Sequence, residues 1–101
     1  MIRGTTPTFK LTIADQSVDL TDATNVYATF QQRNSTLTKT GASLTVTEHE
    51  VDVYLTQAET LAFSSGGLEI QLNWTYSGGE RACTNIVRIN IGDNLVPEVL
   101  E

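Results

Sequence analysis

The sequence predicts an all-β fold, an immunoglobulin-like antiparallel β-sandwich of about seven strands with one short helical turn. Three observations carry this expectation. Apolar and polar residues alternate in short segments. Glycine, proline, asparagine and serine punctuate those segments. No helical period is long enough for a crossover between parallel strands, which excludes a parallel sheet. Chain length and strand number favour the immunoglobulin-like order over a closed barrel. With 101 residues the chain has room for one hydrophobic core. The expected division is a sandwich over residues 1–92 and an acidic, apolar C-terminal tail over residues 93–101.

Each segment has its own signature. Thr8 to Ile13 follows Pro7 and places Phe9, Leu11 and Ile13 on one face. Ala14 to Thr24 is polar apart from Val18 and Leu20 and reads as a loop or a weak edge strand. Asn25 to Gln32 alternates cleanly, with Val26, Ala28 and Phe30 on one face and Tyr27, Thr29 and Gln31 on the other. Arg33-Asn34-Ser35 turns the chain into Thr36 to Thr40. There Leu37 is the one strong apolar residue, and Lys39 suits an exposed edge.

A hairpin across Glu48-His49 sets Val46 opposite Val51 and Leu44 opposite Val53. Two residues of this type are a poor primed turn, so a four-residue loop in the same register is expected. Thr56-Gln57-Ala58-Glu59 is a capping box for one helical turn. Leu61 and Phe63 plug downward after it, and Ser64-Ser65-Gly66-Gly67 ends it.

The final hairpin carries the longest alternation, with Leu68, Ile70, Leu72, Trp74 and Tyr76 on the inner face. A two-residue loop at Gly78-Gly79 sets Trp74 opposite Cys83, Ile70 opposite Val87 and Leu68 opposite Ile89. It also sets Glu69 opposite Arg88 on the outer face. In this register Asn85 falls inward opposite Leu72 and needs a hydrogen-bond partner.

Composition narrows function by exclusion. The chain is 40% hydrophobic and 18% charged, which argues against wholesale disorder. Its high threonine content favours strands. Twelve acidic residues against six basic ones leave a net charge of -6, and no basic cluster opposes it, so nucleic-acid binding is not expected. Met1-Ile2-Arg3-Gly4 begins no signal-peptide core, and no apolar run approaches the ~20 residues of a membrane span. The expectation is a protein made in a reducing cytoplasm, without membrane insertion. A single cysteine, Cys83, forms no internal disulfide.

Candidate chemistry is sparse. His49 stands beside Glu48, Glu50 and Asp52, but adjacent strand residues point to opposite faces, so a solvated turn outweighs a metal site. Cys83 is expected as a packed core thiol opposite Trp74. Asp15, Asp19 and Asp22 share a loop but lack the spacing of a calcium loop. Asn34-Ser35-Thr36 and Asn73-Trp74-Thr75 match the glycosylation sequon by chance. Neither glycine pair precedes a helix that could cradle phosphate. No catalytic set, cofactor or metal is expected. The tail residues Leu95, Val96, Val99 and Leu100 either cap the core or await a partner, and a small core favours capping.

Three stretches bear a resemblance: Arg3-Gly4-Thr5-Thr6-Pro7-Thr8-Phe9, Val53 to Leu61 (VYLTQAETL) and Glu69 to Tyr76 (EIQLNWTY). Together they resemble small phage and prophage proteins of Gram-positive gut bacteria. They are similar to the N-terminal immunoglobulin-like domain of siphophage baseplate upper proteins. Those proteins continue into coiled-coil and receptor-proximal regions that this sequence lacks. The resemblance therefore implies a small virion component or assembly protein, with other virion proteins, or itself, as partners. Its motifs mark strands and turns and carry over no functional residue. The leading expectation is a non-enzymatic docking module. Its contacts would be the edge strand around Leu37 and Lys39 or the tail residues Leu95, Val96, Val99 and Leu100. The alternative is a carbohydrate-binding module that uses Tyr27 and Tyr54, both expected on outer faces.

Overall fold

A computed structural model describes residues 1–33 and 35–101. Among these, eight strands form two antiparallel sheets packed face to face. The three-stranded sheet has the order β1 (Thr8–Thr12), β5 (Glu50–Tyr54), β4 (Leu44–Val46). The five-stranded sheet runs β3 (Ser35–Thr40), β2 (Asn25–Gln32), β6 (Gly66–Thr75), β7 (Arg81–Cys83). In this sheet β8 (Val87–Ile91) continues the line of β7 along β6. One helix of five residues, α1 (Gln57–Leu61), joins β5 to β6. Placing β6 between β2 and β7, and β5 between β1 and β4, is the immunoglobulin-like arrangement.

The core follows from side-chain alternation. Val26, Ala28 and Phe30 on β2 meet Trp74, Leu72 and Ile70 on β6 as direct cross-strand partners, and all six are buried. Val51 and Val53 close the core from β5, where Leu44 pairs with Val53 and Val46 with Val51 as expected. The loop before β5 has no residue with positive φ, so it is not a primed turn. Its carbonyls at Glu48 and His49 accept the N–H groups of Leu20 and Ile13. Leu20 is thereby held in a 3-10 turn (Leu20–Asp22) and plugs one end of the core. Trp74 is 3% exposed, and its indole N–H donates to the Tyr76 hydroxyl at 3.1 Å, the polar handle that a buried indole requires.

The last hairpin corrects part of the expected register. Leu68 does pair with Ile89, Glu69 with Arg88 and Ile70 with Val87. Nearer the turn, however, Trp74 pairs with Ala82 and Asn73 with Cys83. The loop has three residues, Ser77-Gly78-Gly79. The Tyr76 N–H donates to the Glu80 carbonyl at 2.9 Å, and the Gly79 N–H donates back to the Tyr76 carbonyl at 3.0 Å. One added residue reverses the parity of β7, so Cys83 is an exposed thiol and not a core one.

A bulge then restores the phase. Thr84, Asn85 and Ile86 span an interval that only Gln71 and Leu72 span on β6. Thr84 bridges the gap, donating its N–H to the Leu72 carbonyl at 3.0 Å and accepting the Leu72 N–H on Oγ1 at 3.1 Å. Asn85 is consequently exposed and needs no buried partner.

A three-residue turn places the two glycines in different situations. Gly79 has φ +86°, whereas Gly78 lies outside the positive-φ region. Gly79→Ala is therefore expected to destabilise the fold by about 1 kcal/mol or more, while Gly78→Ala costs distinctly less. Urea denaturation of the two variants checks this; equal losses would indicate a two-residue primed turn.

Candidate docking surface

The site grows from α1 outward. Thr56 accepts the Glu59 N–H on its hydroxyl at 3.2 Å, and the Glu59 carboxylate accepts the Thr56 N–H at 2.8 Å. This is the expected capping box, and it allows so short a helix to form. Thr60, fully buried, accepts the Gly4 N–H at 2.9 Å and donates to the Thr5 carbonyl at 2.8 Å. Gly4 has φ +82°, and a Cβ there would stand 3.3 Å from the Leu61 side chain, so the position requires glycine. Arg3 donates from Nε to the Phe63 carbonyl at 2.6 Å and from Nη2 to the Leu61 carbonyl at 2.9 Å. Its guanidinium thus occupies the C-terminal end of α1, where cations are favoured.

The tail is laid across this knot. Asn94 donates to the Arg3 carbonyl at 2.9 Å and accepts the Val96 N–H at 3.0 Å. Gln57 grips Leu100 through both backbone groups, accepting its N–H at 2.7 Å and donating to its carbonyl at 2.9 Å. These anchors are polar, and they leave the apolar side chains outside. Leu95 is 102% exposed, Val96 45%, Val99 54% and Leu100 61%. The tail therefore adds no apolar side chain to the core.

The edge strand β3 differs from this. Leu37 packs against the core. Lys39 points to the same side and places Nζ 2.7 Å from Glu59 Oε2, with only 14% of its side chain exposed. An inward lysine tied to α1 blunts that edge, so the two candidate docking elements are not equivalent.

The remaining candidates do not converge. Tyr27 lies on the outer face of the five-stranded sheet and Tyr54 on that of the three-stranded sheet, so they form no common platform. The Asp15 carboxylate accepts from the hydroxyl and N–H of Ser17, and Asp19 accepts likewise from Thr21. These donors hold both carboxyls below the usual range, hydroxyl first and backbone second. His49 Nε2 lies 3.9 Å from Glu48, and its Nδ1 is enclosed without a hydrogen-bond partner. Among the described residues no three His, Cys, Asp or Glu side chains gather as a metal site would require. Asn34, the acceptor of the first sequon, lies outside the described residues. No helix among the described residues is long and apolar enough to cross a membrane.

Sequence reasoning found the capping box but missed the clamp of Arg3, Gly4 and Thr60 and the grip of Gln57. Their partners lie more than forty positions away, and no local pattern encodes such pairings.

The Lys39–Glu59 contact has a pH signature. Burial pushes the Glu59 carboxyl up, but donation from Lys39 and from the Thr56 N–H, with the lysine charge, outweighs it and holds the pKa below its usual value. A depressed folded pKa contributes stability above the ordinary glutamate value of about 4.3, and that contribution is lost as pH falls through the lower folded value. Glu59→Gln is expected to be less stable than the native chain at neutral pH and to lose less on acidification. Thermal melts between neutral and acid pH check this; parallel acid limbs would contradict it.

Compared with known proteins, the chain matches no family model, no curated protein and no solved structure.

Proposed function

We propose that the chain is a non-enzymatic structural or assembly module that acts by protein–protein docking through its C-terminal tail, as a component of a phage or prophage particle. The observation that carries the docking reading is the display of Leu95, Val96, Val99 and Leu100 on a backbone anchored by Gln57 and Asn94. A backbone held in place with its apolar side chains turned outward has given up chain entropy before contact, which favours binding. The particle context rests on the resemblance of the three stretches. The structural roles of their residues suit that resemblance: Arg3 and Gly4 build the knot, Thr56 and Glu59 cap α1, and Trp74 sits in the core. The competing reading, a carbohydrate-binding module, lacks a shared tyrosine platform.

Mass spectrometry of particles purified from a producing bacterium tests this. The chain is expected as a stoichiometric component, and a variant with Leu95→Asp and Leu100→Asp is expected to fold normally but not be incorporated. Absence of the native chain from particles would refute the particle role, and normal incorporation of the variant would refute the tail as docking element.

A further inference from the structure

The two ends of α1 are held in different ways. Its C-terminal half is tied to the N-terminal knot, through Thr60 to Gly4 and Thr5 and through Arg3 to the Leu61 and Phe63 carbonyls. None of these ties uses a carboxylate, and arginine keeps its charge at any working pH. At the N-terminal turn the Glu59 carboxylate serves two donors at once. It accepts the Thr56 N–H on Oε1 at 2.8 Å, and Lys39 Nζ stands 2.7 Å from Oε2. Both members of the ion pair are mostly shielded from solvent, so salt screens them little. One side chain thus joins the start of the helix to the edge strand β3.

Gln57 stands in the same turn, directly after the Thr56 cap. It grips Leu100, accepting its N–H at 2.7 Å and donating to its carbonyl at 2.9 Å. The other tail anchor, Asn94, donates to the Arg3 carbonyl and so belongs to the knot. The tail is therefore fastened at its start to the knot and near its end to the turn that Glu59 closes. Little else holds that turn. The Thr60 hydroxyl lies 3.2 Å from the Gln57 carbonyl, but its single proton has the nearer Thr5 carbonyl at 2.8 Å. What remains is the Thr56 hydroxyl on the Glu59 N–H at 3.2 Å and one helical bond, from the Thr60 N–H to the Thr56 carbonyl at 3.1 Å. A helix of five residues does not stand on such bonds alone.

Lys39 is the one charged group within ion-pair distance of Glu59 among the described residues. At the far end of α1, Arg3 pairs with Asp93 at 3.8 Å. Glu98 and Glu101 lie within two positions of Leu100 and make no ion pair among the described residues. We propose that Glu59 is a proton-operated catch on the tail. Ionised, it closes the first turn of α1 and lets Gln57 hold Leu100; protonated, it releases Lys39 and with it the distal half of the tail. A proton on Glu59 removes the charge that strengthens both of its bonds. The turn then frays, and Gln57 no longer has a fixed position from which to make two bonds to Leu100. Burial favours the protonated carboxyl, but Lys39 and the Thr56 N–H favour the ionised one more. Release is therefore expected below the ordinary glutamate value of about 4.3. As a control on docking the catch rests on the reading of the tail given above, but its action is visible in the isolated chain.

Amide relaxation and hydrogen exchange by NMR, followed from neutral to acid pH in the purified chain, test the catch without any partner. Leu100 is expected to be ordered at neutral pH and to loosen on acidification, while the amides of β6 and Asn94 stay ordered. Its exchange protection should fall by roughly threefold or more as Glu59 titrates. Glu59→Gln keeps a carbonyl for Thr56 but no charge for Lys39, and should leave Leu100 loose at every pH. Lys39→Gln should move the release to higher pH, because Glu59 then lacks the partner that keeps it ionised. Gln57→Ala should loosen Leu100 whatever the state of Glu59. A Leu100 that stays ordered in acid, or is as ordered in Glu59→Gln as in the native chain, overturns the proposal. So does release at an unchanged pH in Lys39→Gln, which would place the titration on Glu98 or Glu101. Loss of order in β6 at the same pH would show unfolding of the whole chain and overturn it as well. Should Glu59→Gln not fold, the native chain and Lys39→Gln decide alone. Incorporation into particles decides the proposed function separately, so the two can fail independently.

Discussion

The inward row of β6 governs the sandwich. Leu68, Ile70, Leu72 and Trp74 are all buried, and β6 is hydrogen-bonded on both sides, to β2 and to β7 with β8. A strand repeats every two residues, so a one-residue slip on either side would turn a partner's apolar set to solvent. The three-residue turn after Tyr76 introduces such a slip, and the bulge at Thr84–Ile86 removes it. Between turn and bulge lie only Glu80, Arg81, Ala82 and Cys83. The out-of-phase segment is short, and small Ala82, set against Trp74, is its one half-buried residue. Beyond the bulge the pairs Ile70–Val87 and Leu68–Ile89 fall as the apolar pattern demands.

This explains what the sequence made legible. Long alternations such as Asn25–Gln32 and Leu68–Tyr76 show their strands and inner faces directly, because burial on one side imposes period two. The Leu44–Val53 and Val46–Val51 pairings follow from matching two short apolar rows. The Glu69–Arg88 pair marks register correctly because it lies beyond the bulge; as an exposed ion pair it contributes under about 1 kcal/mol. The loop length was not legible. Gly78-Gly79 fits a two-residue primed turn as well as a three-residue turn whose left-handed residue is Gly79. A turn error and a bulge cancel over most of the hairpin, so the agreement at Leu68 and Ile70 conceals the disagreement at Cys83. Thr84 held the remaining information, since its hydroxyl replaces a ladder partner, but threonine is frequent throughout this chain.

The candidate site was legible in composition and not in geometry. Apolar residues beyond the last strand mark the tail, yet whether they turn inward depends on Gln57 and Asn94, which bind its backbone. The N-terminal residues show the same logic. Arg3 and Gly4 lie next to α1 and Gly92 because the chain's two ends meet there. Ile2 forms a parallel bridge with Gly92, the Gly92 N–H donates to the Met1 carbonyl at 2.8 Å, and the Arg3 N–H donates to the Gly92 carbonyl at 3.0 Å. Thr60 then supplies the one buried hydroxyl that satisfies the Gly4 amide, at a place where an unpaired donor would be costly. Knot and tail are thus separable in kind: the knot is part of the folded body, and the tail rests on it through polar contacts, exposed at Gln57 and part-buried at Asn94.

That separability is the centre of the account, and deletion of residues 93–101 tests it most directly. In the proposed docking role the tail adds no side chain to the core, so the shortened chain should still unfold cooperatively and melt no more than roughly 10 °C lower, the shift expected for losing the Asn94 and Gln57 contacts at about 1 kcal/mol each. A chain that unfolds far earlier, with the cooperative loss expected when core side chains are removed, would show that the tail caps the core and would contradict the docking role assigned to it.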